Sequence, residues 1–304
     1  MRQTLEQLNE QFGGAGVNFA RGRGDLTLAR LAANGCAAEV YLHGAHVTAF
    51  GKAGQPPVLF LSGQSLFQPD RAIRGGVPVI FPWFGPRQPD PVGKSPMHGF
   101  ARLSPWTVQA AGPTPDGIAL TLTLAPDETS RALWPHEFAL TYTVAIAGER
   151  LALALTVSNP GAEGFGFEEA LHTYLAVSDV RHASIEGLAH TTYLDKVDNA
   201  VEKSQDAAPI TITGETDRVY VDTPATCIVH DPGFRRRIVV AKDHSDATVL
   251  WNPWVDKAKA MVDFGDDEWP NMLCVETCNV AAHAVTLAPG ASHTLRATIG
   301  AEPL

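Results

Sequence analysis

Residues 118–124 read IALTLTL, residues 138–146 read FALTYTVAI and residues 151–157 read LALALTV. In each stretch apolar side chains fall on one face of an extended chain, and small side chains or threonines fall on the other. A period of two is typical of half-buried antiparallel strands. The three stretches therefore predict strands of an antiparallel sheet.

The rest of the chain carries further short runs of strand character. Glycine and proline, at 27 and 22 residues, recur between them as turn signals. Helical periodicity is confined to about residues 4–12, where a short helix is predicted. No repeat or linker divides the chain, so we predict one all-β domain over residues 1–304, a large antiparallel β-sandwich with few short helices, in which residues 1–20 are a peripheral N-terminal segment. The further strand candidates are residues 26–31, 37–43, 58–61, 225–230, 238–241, 248–251, 272–277 and 292–299.

Composition and charge exclude several classes of protein. No stretch approaches the roughly 20 apolar residues of a membrane span, and residues 1–13 lack the apolar run of a signal peptide. Four cysteines are too few for a disulfide scaffold. A net charge of −10 disfavours nucleic acid and anionic membranes as partners. We expect a cytoplasmic enzyme or binding protein.

Positive charge is concentrated in one segment. Between Asp70 and Arg102, five basic residues stand against two acidic ones, which gives a local net charge of +3. Much of this segment is a Pro- and Gly-rich connection over residues 64–94, and long irregular connections are usually functional. So compact a patch suits a small anionic ligand better than a polyanion. The basic residues are Arg71, Arg74, Arg87, Lys94 and Arg102.

Four short segments contain residue types suited to acid–base chemistry. They are residues 74–82 (RGGVPVIFP), 98–102 (HGFAR), 170–174 (ALHTY) and 275–279 (VETCN). A single His or Glu in a strand is more often a packed or surface residue. Taken together and in this order, with HGAH at 43–46 and WNPW at 251–254, the segments resemble the aldose 1-epimerase (galactose mutarotase-like) superfamily. Within it, the chain resembles the glucose-6-phosphate 1-epimerase, or hexose-6-phosphate mutarotase, branch.

The resemblance implies a fold and a reaction. It implies a galactose mutarotase-like β-supersandwich, a monomer without a cofactor or metal, and interconversion of the α and β anomers of a hexose 6-phosphate, with D-glucose 6-phosphate foremost. Carried over residue by residue, it implies His172 as the acid and Glu276 as the base. Opening a pyranose needs one group to protonate the ring oxygen and another to take the anomeric hydroxyl proton. Imidazole suits this role because its ordinary pKa is about 6.5.

The resemblance also implies which residues bind substrate. It places His98 beside the ring and anomeric oxygens, Arg74 and Arg102 on the phosphate, and Asp217 on sugar hydroxyls. A guanidinium matches phosphate because its planar fork of donors meets two oxygens at once. The substrate-contacting position before His98 is often Gln in the family but is Met97 here, and this departure bears on the sugar preference.

Three alternatives to a sugar-phosphate epimerase stay open. A neutral-sugar aldose 1-epimerase would not need the positively charged segment. A glycoside hydrolase would need two carboxylates at the scissile bond, whereas Glu276 alone comes from a motif at the reaction centre. A non-catalytic carbohydrate-binding module has no reason to keep both His172 and Glu276.

Two further features are predicted to be structural. Cys274 and Cys278 flank Glu276 at two-residue steps, so all three share a strand face. A Cys-x₃-Cys pair without a second pair or a nearby His is a weak metal signal, and small buried thiols are the favoured interpretation. The run of three arginines at residues 235–237 is predicted to be a solvated turn and strand edge.

Overall fold

The computed structural model describes residues 3–304; residues 1 and 2 of the predicted N-terminal segment lie outside the described residues. The described chain has three short helices, α1 (Leu5–Phe12), α2 (Glu128–Leu133) and α3 (Trp254–Ala260). Its strands are β1 (Val17–Arg21), β2 (Thr27–Ala33), β3 (Cys36–Tyr41), β4 (His46–Lys52), β5 (Val79–Ile80), β6 (Thr107–Thr114), β7 (Gly117–Leu124), β8 (Ala139–Ala147), β9 (Arg150–Ser158), β10 (Phe165–Phe167), β11 (Glu169–Leu171), β12 (Tyr174–Ala176), β13 (Ser184–Glu186), β14 (Thr192–Asp195), β15 (Val201–Ser204), β16 (Ile210–Thr211), β17 (Thr216–Tyr220), β18 (Cys227–Asp231), β19 (Arg236–Asp243), β20 (Ala247–Asn252), β21 (Met272–Asn279), β22 (Val285–Leu287) and β23 (Ser292–Pro303).

These strands form four sheets, and within the described chain each pairing between named strands is antiparallel. A nine-stranded sheet has the order β16-β13-β18-β19-β23-β9-β8-β7-β6. An eight-stranded sheet has the order β15-β14-β17-β20-β21-β11-β5, with β12 also paired to β21. Strands β1 to β4 form the third sheet, and β10 pairs with β22.

The core lies between sheets that pack face to face. Strands β2 and β3 contact β7 and β8, while β11 and β21 contact β23. The four-stranded and eight-stranded sheets therefore both pack against the nine-stranded sheet. This arrangement confirms the all-β antiparallel sandwich predicted from the sequence.

The period of two in the opening stretches is confirmed in β7, β8 and β9. In β8, Leu140, Tyr142, Val144 and Ile146 are buried, and the residues between them are only partly buried. Successive side chains of a strand point to opposite faces, so this pattern gives the sheet one core face. By contrast, β20 and β21 are buried at every position, because these central strands are covered on both faces.

The N-terminal residues are attached to the four-stranded sheet. Helix α1 begins after Thr4, whose side chain accepts the N–H of Gln7 in a capping box. Leu8 of α1 is buried, and β1 pairs along its length with β2. The short helix predicted near residues 4–12 is thus confirmed. None of the helices in residues 3–304 has the length and apolar character to span a bilayer.

Two structural predictions are wrong. Residues 58–61 do not form a strand and make isolated bridges at Leu59 and Leu61. Arg236 is not part of a solvated edge, because it is buried and donates to the carbonyl oxygens of Pro56, Pro57 and Ala176 at 2.7–2.9 Å. The alternation of β19 directs Arg236 inward, and its two arginine neighbours are exposed.

Candidate active site

Four strands of the eight-stranded sheet align side chains in one row. Asp217 of β17 pairs with Trp251 of β20, Trp251 with Cys274 of β21, and Cys274 with Tyr174 of β12. Paired residues project to the same face of a sheet. Glu276 lies two residues beyond Cys274 on β21 and therefore shares that face. We call this row, together with Glu276, the floor of the site.

His172 lies between β11 and β12 and reaches over the floor. Its backbone N–H donates to the carbonyl oxygen of Pro78 at 3.1 Å. Its ring stacks on Tyr174, with centroids 4.8 Å apart and planes 10° apart. His172 Nε2 lies 3.3 Å from Glu276 Oε1. The structure therefore brings the predicted acid and base into direct contact.

Burial shifts both members of this pair toward their neutral forms. His172 is 7% exposed and Glu276 is 1% exposed. Burial, reinforced by Arg102 and Arg74, lowers the pKa of His172 well below its ordinary value. Burial, reinforced by Asp217, raises the pKa of Glu276 well above its ordinary value. Nδ1 of His172 and Oε2 of Glu276 have no hydrogen-bond partner among the described residues, which leaves both polar atoms available to a ligand.

His98 stands beside the pair as a neutral hydrogen-bond donor. Its ring centroid is 5.6 Å from that of His172. Its Nδ1 accepts the backbone N–H of Gly85 at 3.1 Å, so the ring proton lies on Nε2. Burial lowers its pKa well below the ordinary value. The turn that presents it needs Gly99, which has φ of +70°; a Cβ at that position would lie 2.0 Å from the carbonyl oxygen of Phe81.

Arg102 is a buried cation without a carboxylate partner in residues 3–304. It is 9% exposed, donates from one Nη to the carbonyl oxygen of Met97 at 2.8 Å, and has an unpartnered Nε. Burial, together with the nearby charge of Arg74, lowers the pKa of Arg102 to about 10, so it stays charged at neutral pH. A buried charge is costly unless it is paired, and an anionic ligand would pair it.

Arg74 is held by two partners across the site. Its Nη2 lies 3.1 Å from Asp263 Oδ2, and its Nη1 donates to the Tyr174 hydroxyl at 3.1 Å. Burial lowers the pKa of Arg74, but Tyr174 and Asp263 outweigh burial and the net shift is upward. Its Nε is buried and unpartnered. Arg74 therefore keeps its charge and retains a donor for a ligand.

The backbone turn after Arg74 is held in place by two glycines and a buried histidine. Gly76 has φ of +62°, and a Cβ there would lie 2.1 Å from the carbonyl oxygen of Val47. His46 is fully buried and donates from Nε2 to the carbonyl oxygen of Gly75 at 2.7 Å. Burial lowers the pKa of His46 to about 3, so this ring is neutral. The two glycines and His46 set the position from which Arg74 projects.

The other two predicted substrate-binding residues differ in their environment. Asp217 is partly buried in the floor, and burial raises its pKa. The side chain of Met97 is 53% exposed, and it is its backbone carbonyl that holds Arg102. Met97 therefore contributes to the site through its backbone.

The rest of the basic segment lies apart from the acid–base pair. Arg71 and Lys94 are exposed. Arg87 lies over the ring of Trp83, 4.9 Å from its centroid, and donates to the carbonyl oxygen of Leu133. Of the five basic residues that give this segment its charge, Arg74 and Arg102 are the two with buried donors at the site.

The sequence predicted no site role for Tyr174, Cys274, His46 and Asp263, and it predicted Cys274 only as a small buried thiol. The first three lie in or beside quoted motifs, so their position was visible although their contacts were not. No sequence motif indicated Asp263, because it contacts Arg74 from 189 positions away in the sequence. Within the described chain, His172, Cys274 and Glu276 each offer one potential metal-ligand atom within 4.8 Å of those of the other two.

Comparison with known proteins agrees with this arrangement. The sequence model of the family described as aldose 1-epimerase matches residues 27–300. A relative from Cenchrus ciliaris is 36% identical over 280 residues, 89% of this chain and 83% of its own length. A relative from Escherichia coli is 36% identical over 236 residues, 78% of this chain and 77% of its own length. Both bear the name "Putative glucose-6-phosphate 1-epimerase".

A solved structure shows the same fold. The crystal structure of a protein from Salmonella typhimurium described as a "putative mutarotase" superposes with a TM-score of 0.88 at 31% identity. The match covers 97% of this chain and 96% of that one. With the family match over most of its length and the buried His172–Glu276 pair on a mutarotase fold, this chain belongs to the aldose 1-epimerase family and is an isomerase that acts on a sugar.

Proposed function

We propose that this enzyme interconverts the α and β anomers of a hexose 6-phosphate, with D-glucose 6-phosphate as the first substrate to test. The observation that carries this proposal is Arg102, a buried cation without a carboxylate partner in the described chain. It is close enough to His172 and Glu276 to shift the pKa of both. A neutral sugar would leave its charge unpaired, whereas a phosphate would pair with it. The names of the two relatives support the same substrate.

In this proposal His172 and Glu276 move two protons in opposite directions. Protonated His172 gives a proton to the ring oxygen while the Glu276 carboxylate takes the proton of the anomeric hydroxyl. The bond between C1 and the ring oxygen breaks, and an open-chain aldehyde forms. Rotation about C1–C2 presents the other face of the aldehyde, and the same transfers in reverse close the ring to the other anomer. Acid–base assistance of this kind contributes about 10²–10⁴-fold per group.

The pKa shifts of the pair suit the open-chain stage. Ring opening converts an imidazolium and a carboxylate into a neutral imidazole and a carboxylic acid. Burial favours these neutral forms at both residues, so in the ligand-free pair the shared proton rests on Glu276 and passes to His172 Nε2, 3.3 Å away, before the ring opens. The two protonation states hold the same number of protons, so the cycle needs no proton from solvent. The pair therefore titrates as a unit, and a pH profile would report the pair rather than either residue.

The remaining predicted residues have roles that fit their surroundings. The Nε2–H of His98 would donate to the ring or anomeric oxygen and stabilise charge that develops there. Arg102 and Arg74 would bind the phosphate, and Asp217 would accept from sugar hydroxyls. Met97 offers no amide where the family often has Gln, so we expect looser discrimination among hexose 6-phosphates at that contact. Monomeric state and cytoplasmic location stay predictions.

The test is anomer exchange measured by NMR on glucose 6-phosphate and on glucose, each with and without enzyme. The no-enzyme samples are needed because both sugars mutarotate spontaneously. We expect a strong preference for the phosphate, and an exposed-arginine control, Arg71→Ala, should keep it. Acceleration of glucose alone would instead assign a neutral-sugar epimerase. No acceleration of either sugar would favour the binding-module alternative and contradict the proposal.

A further inference from the structure

The floor of the site places a thiol beside the acid–base pair. Cys274 is fully buried, and it shares a strand face with Glu276. One ligand atom from each of His172, Cys274 and Glu276 lies within 4.8 Å of the other two. Sequence reasoning set aside a metal because it paired Cys274 with Cys278 and saw no nearby histidine. The fold brings His172 close to Cys274 from another part of the chain.

The distances approach those of a zinc site. Zinc bonds of about 2.0–2.3 Å in tetrahedral geometry separate a nitrogen or oxygen ligand atom from its neighbours by about 3.3–3.6 Å. His172 Nε2 and Glu276 Oε1 are already 3.3 Å apart. A movement of about 1 Å by the Cys274 side chain would bring its sulfur to the same spacing. Three protein ligands would leave a fourth position for water.

A buried polar atom without a hydrogen-bond partner in the described chain indicates a ligand at this place. Glu276 is 1% exposed, and its Oε2 has no hydrogen-bond partner among the described residues. Cys278, by contrast, contacts the carbonyl oxygen of Glu276 through its sulfur at 3.9 Å and lies outside the ligand group. The two buried thiols of β21 therefore have different surroundings, and Cys278 is a matched control for Cys274.

The local charge is compatible with a divalent cation. Burial raises the pKa of the Cys274 thiol and of Glu276 well above their ordinary values, so a metal ion would displace a proton from each as it binds. The resulting thiolate and carboxylate would together carry two negative charges. Asp217 acts electrostatically on both of them and adds a third. Arg74 and Arg102 both act on His172 and oppose a cation, but Asp263 pairs with Arg74. The four negative groups, with Asp263 included, therefore exceed the two arginines by two charges. Thiolate and imidazole ligands favour Zn²⁺ over Mg²⁺ or Ca²⁺.

We propose that His172, Cys274 and Glu276 form a Zn²⁺ site that blocks turnover in competition with the sugar. The ion would occupy the same two groups that transfer protons, so metal and substrate exclude each other. The inhibition, though not the metal binding, rests on the function proposed above. The site is therefore inhibitory and is not a cofactor site.

Metal binding is tested without substrate. Co²⁺ replaces Zn²⁺ in the titration because a thiolate bound to Co²⁺ gives a charge-transfer absorption band. We expect one equivalent to give this band in the wild type and in Cys278→Ala, and Zn²⁺ to remove it. Cys274→Ala should lose the band and bind Zn²⁺ at least about 10-fold more weakly; Cys274→Ser provides a second variant if the alanine variant misfolds. A band of wild-type strength in the folded Cys274 variant, or no binding to the wild type, would overturn the proposal.

Inhibition is tested by anomer exchange at increasing Zn²⁺, with Mg²⁺ as the control ion. We expect Zn²⁺ inhibition that glucose 6-phosphate relieves, and inhibition of Cys278→Ala equal to that of the wild type. Equal Zn²⁺ sensitivity in wild type and Cys274→Ala would place the ion elsewhere and overturn the site. A Co²⁺ band on an enzyme inactive with every sugar would contradict the proposed function and support the metal site. An active enzyme without the Co²⁺ band would support the proposed function and contradict the metal site.

Discussion

Replacing Arg102 by methionine should raise stability while it lowers activity. Burial lowers the pKa of Arg102 from 12.5 to about 10, and each pKa unit corresponds to about 1.4 kcal/mol. The charge therefore costs the ligand-free protein about 3 kcal/mol. Because pH 7 lies below both values, the side chain is charged in the folded and unfolded states, and the whole cost is present. The variant also loses the charge-assisted hydrogen bond to the Met97 carbonyl oxygen, worth about 1.5–3 kcal/mol, so we expect a net gain of about 1 kcal/mol.

The same variant should lose selectivity for the phosphate. A hydrogen bond to a charged group contributes about 1.5–3 kcal/mol, and a guanidinium makes two such bonds to a phosphate. The loss of both would lower kcat/KM for glucose 6-phosphate about 10²–10⁴-fold. Any residual activity on glucose should change little, because a neutral sugar does not pair with the charge.

Two measurements on one preparation check this prediction. Urea denaturation gives the free energy of unfolding, and NMR exchange gives the rate on each sugar. Arg71→Met is the control, because Arg71 is exposed and both quantities should stay at their wild-type values. A variant less stable than the wild type would refute the argument that Arg102 is a buried unpaired charge. Equal losses on both sugars would show that it supports the site structurally.

Four other substitutions have defined outcomes. His172→Gln and Glu276→Gln should each lower the exchange rate about 10²–10⁴-fold with an unchanged circular dichroism spectrum; a near-wild-type rate in either would contradict the acid–base assignment. Asp217→Asn should move the acidic limb of the kcat/KM profile, which reports the coupled His172–Glu276 pair, to lower pH. The charge of Asp217 raises the pKa of Glu276, and without that charge the pair takes up a further proton only in stronger acid. An unmoved limb would rule out that coupling. Gly76→Ala should destabilise the fold by roughly 2 kcal/mol or more in urea denaturation, since φ is +62° and the new Cβ would lie 2.1 Å from a backbone oxygen; wild-type stability would show that the turn relaxes.

Local patterns were sufficient for the sheets but not for every side chain in them. The alternation in β7, β8 and β9 follows from burial of one face, so it is visible in the sequence. Arg236 shows the limit: three consecutive arginines look solvated, but strand alternation buries the middle one. It donates to three backbone carbonyls from two distant segments and lies 3.4 Å from Asp231 on the paired strand. The three carbonyls depend on tertiary packing, which no local pattern encodes.

The candidate site likewise contains residues that the sequence could predict and contacts that it could not. His172, Glu276, His98, Arg74 and Arg102 could be predicted because each lies in a motif. The contact between Arg74 and Asp263 could not be predicted, because the sequence around either residue does not indicate the other. The closeness of the Cys274 thiol to His172 was also hidden, because it depends on the pairing of β12 with β21.

The row formed by β17, β20, β21 and β12 has a consequence for refolding. The proposed acid and base, His172 and Glu276, and the arginines Arg74 and Arg102 come from segments separated by up to about two hundred positions, and no single hairpin contains them. Contacts of such long sequence separation form slowly, because the chain pays the entropy of loop closure before it gains the contact. Catalytic activity should therefore return only after the central strands have docked, later than the circular dichroism signal of the local hairpins β7–β8 and β8–β9. Recovery of catalytic activity therefore reports the last step of folding, the docking of the central strands.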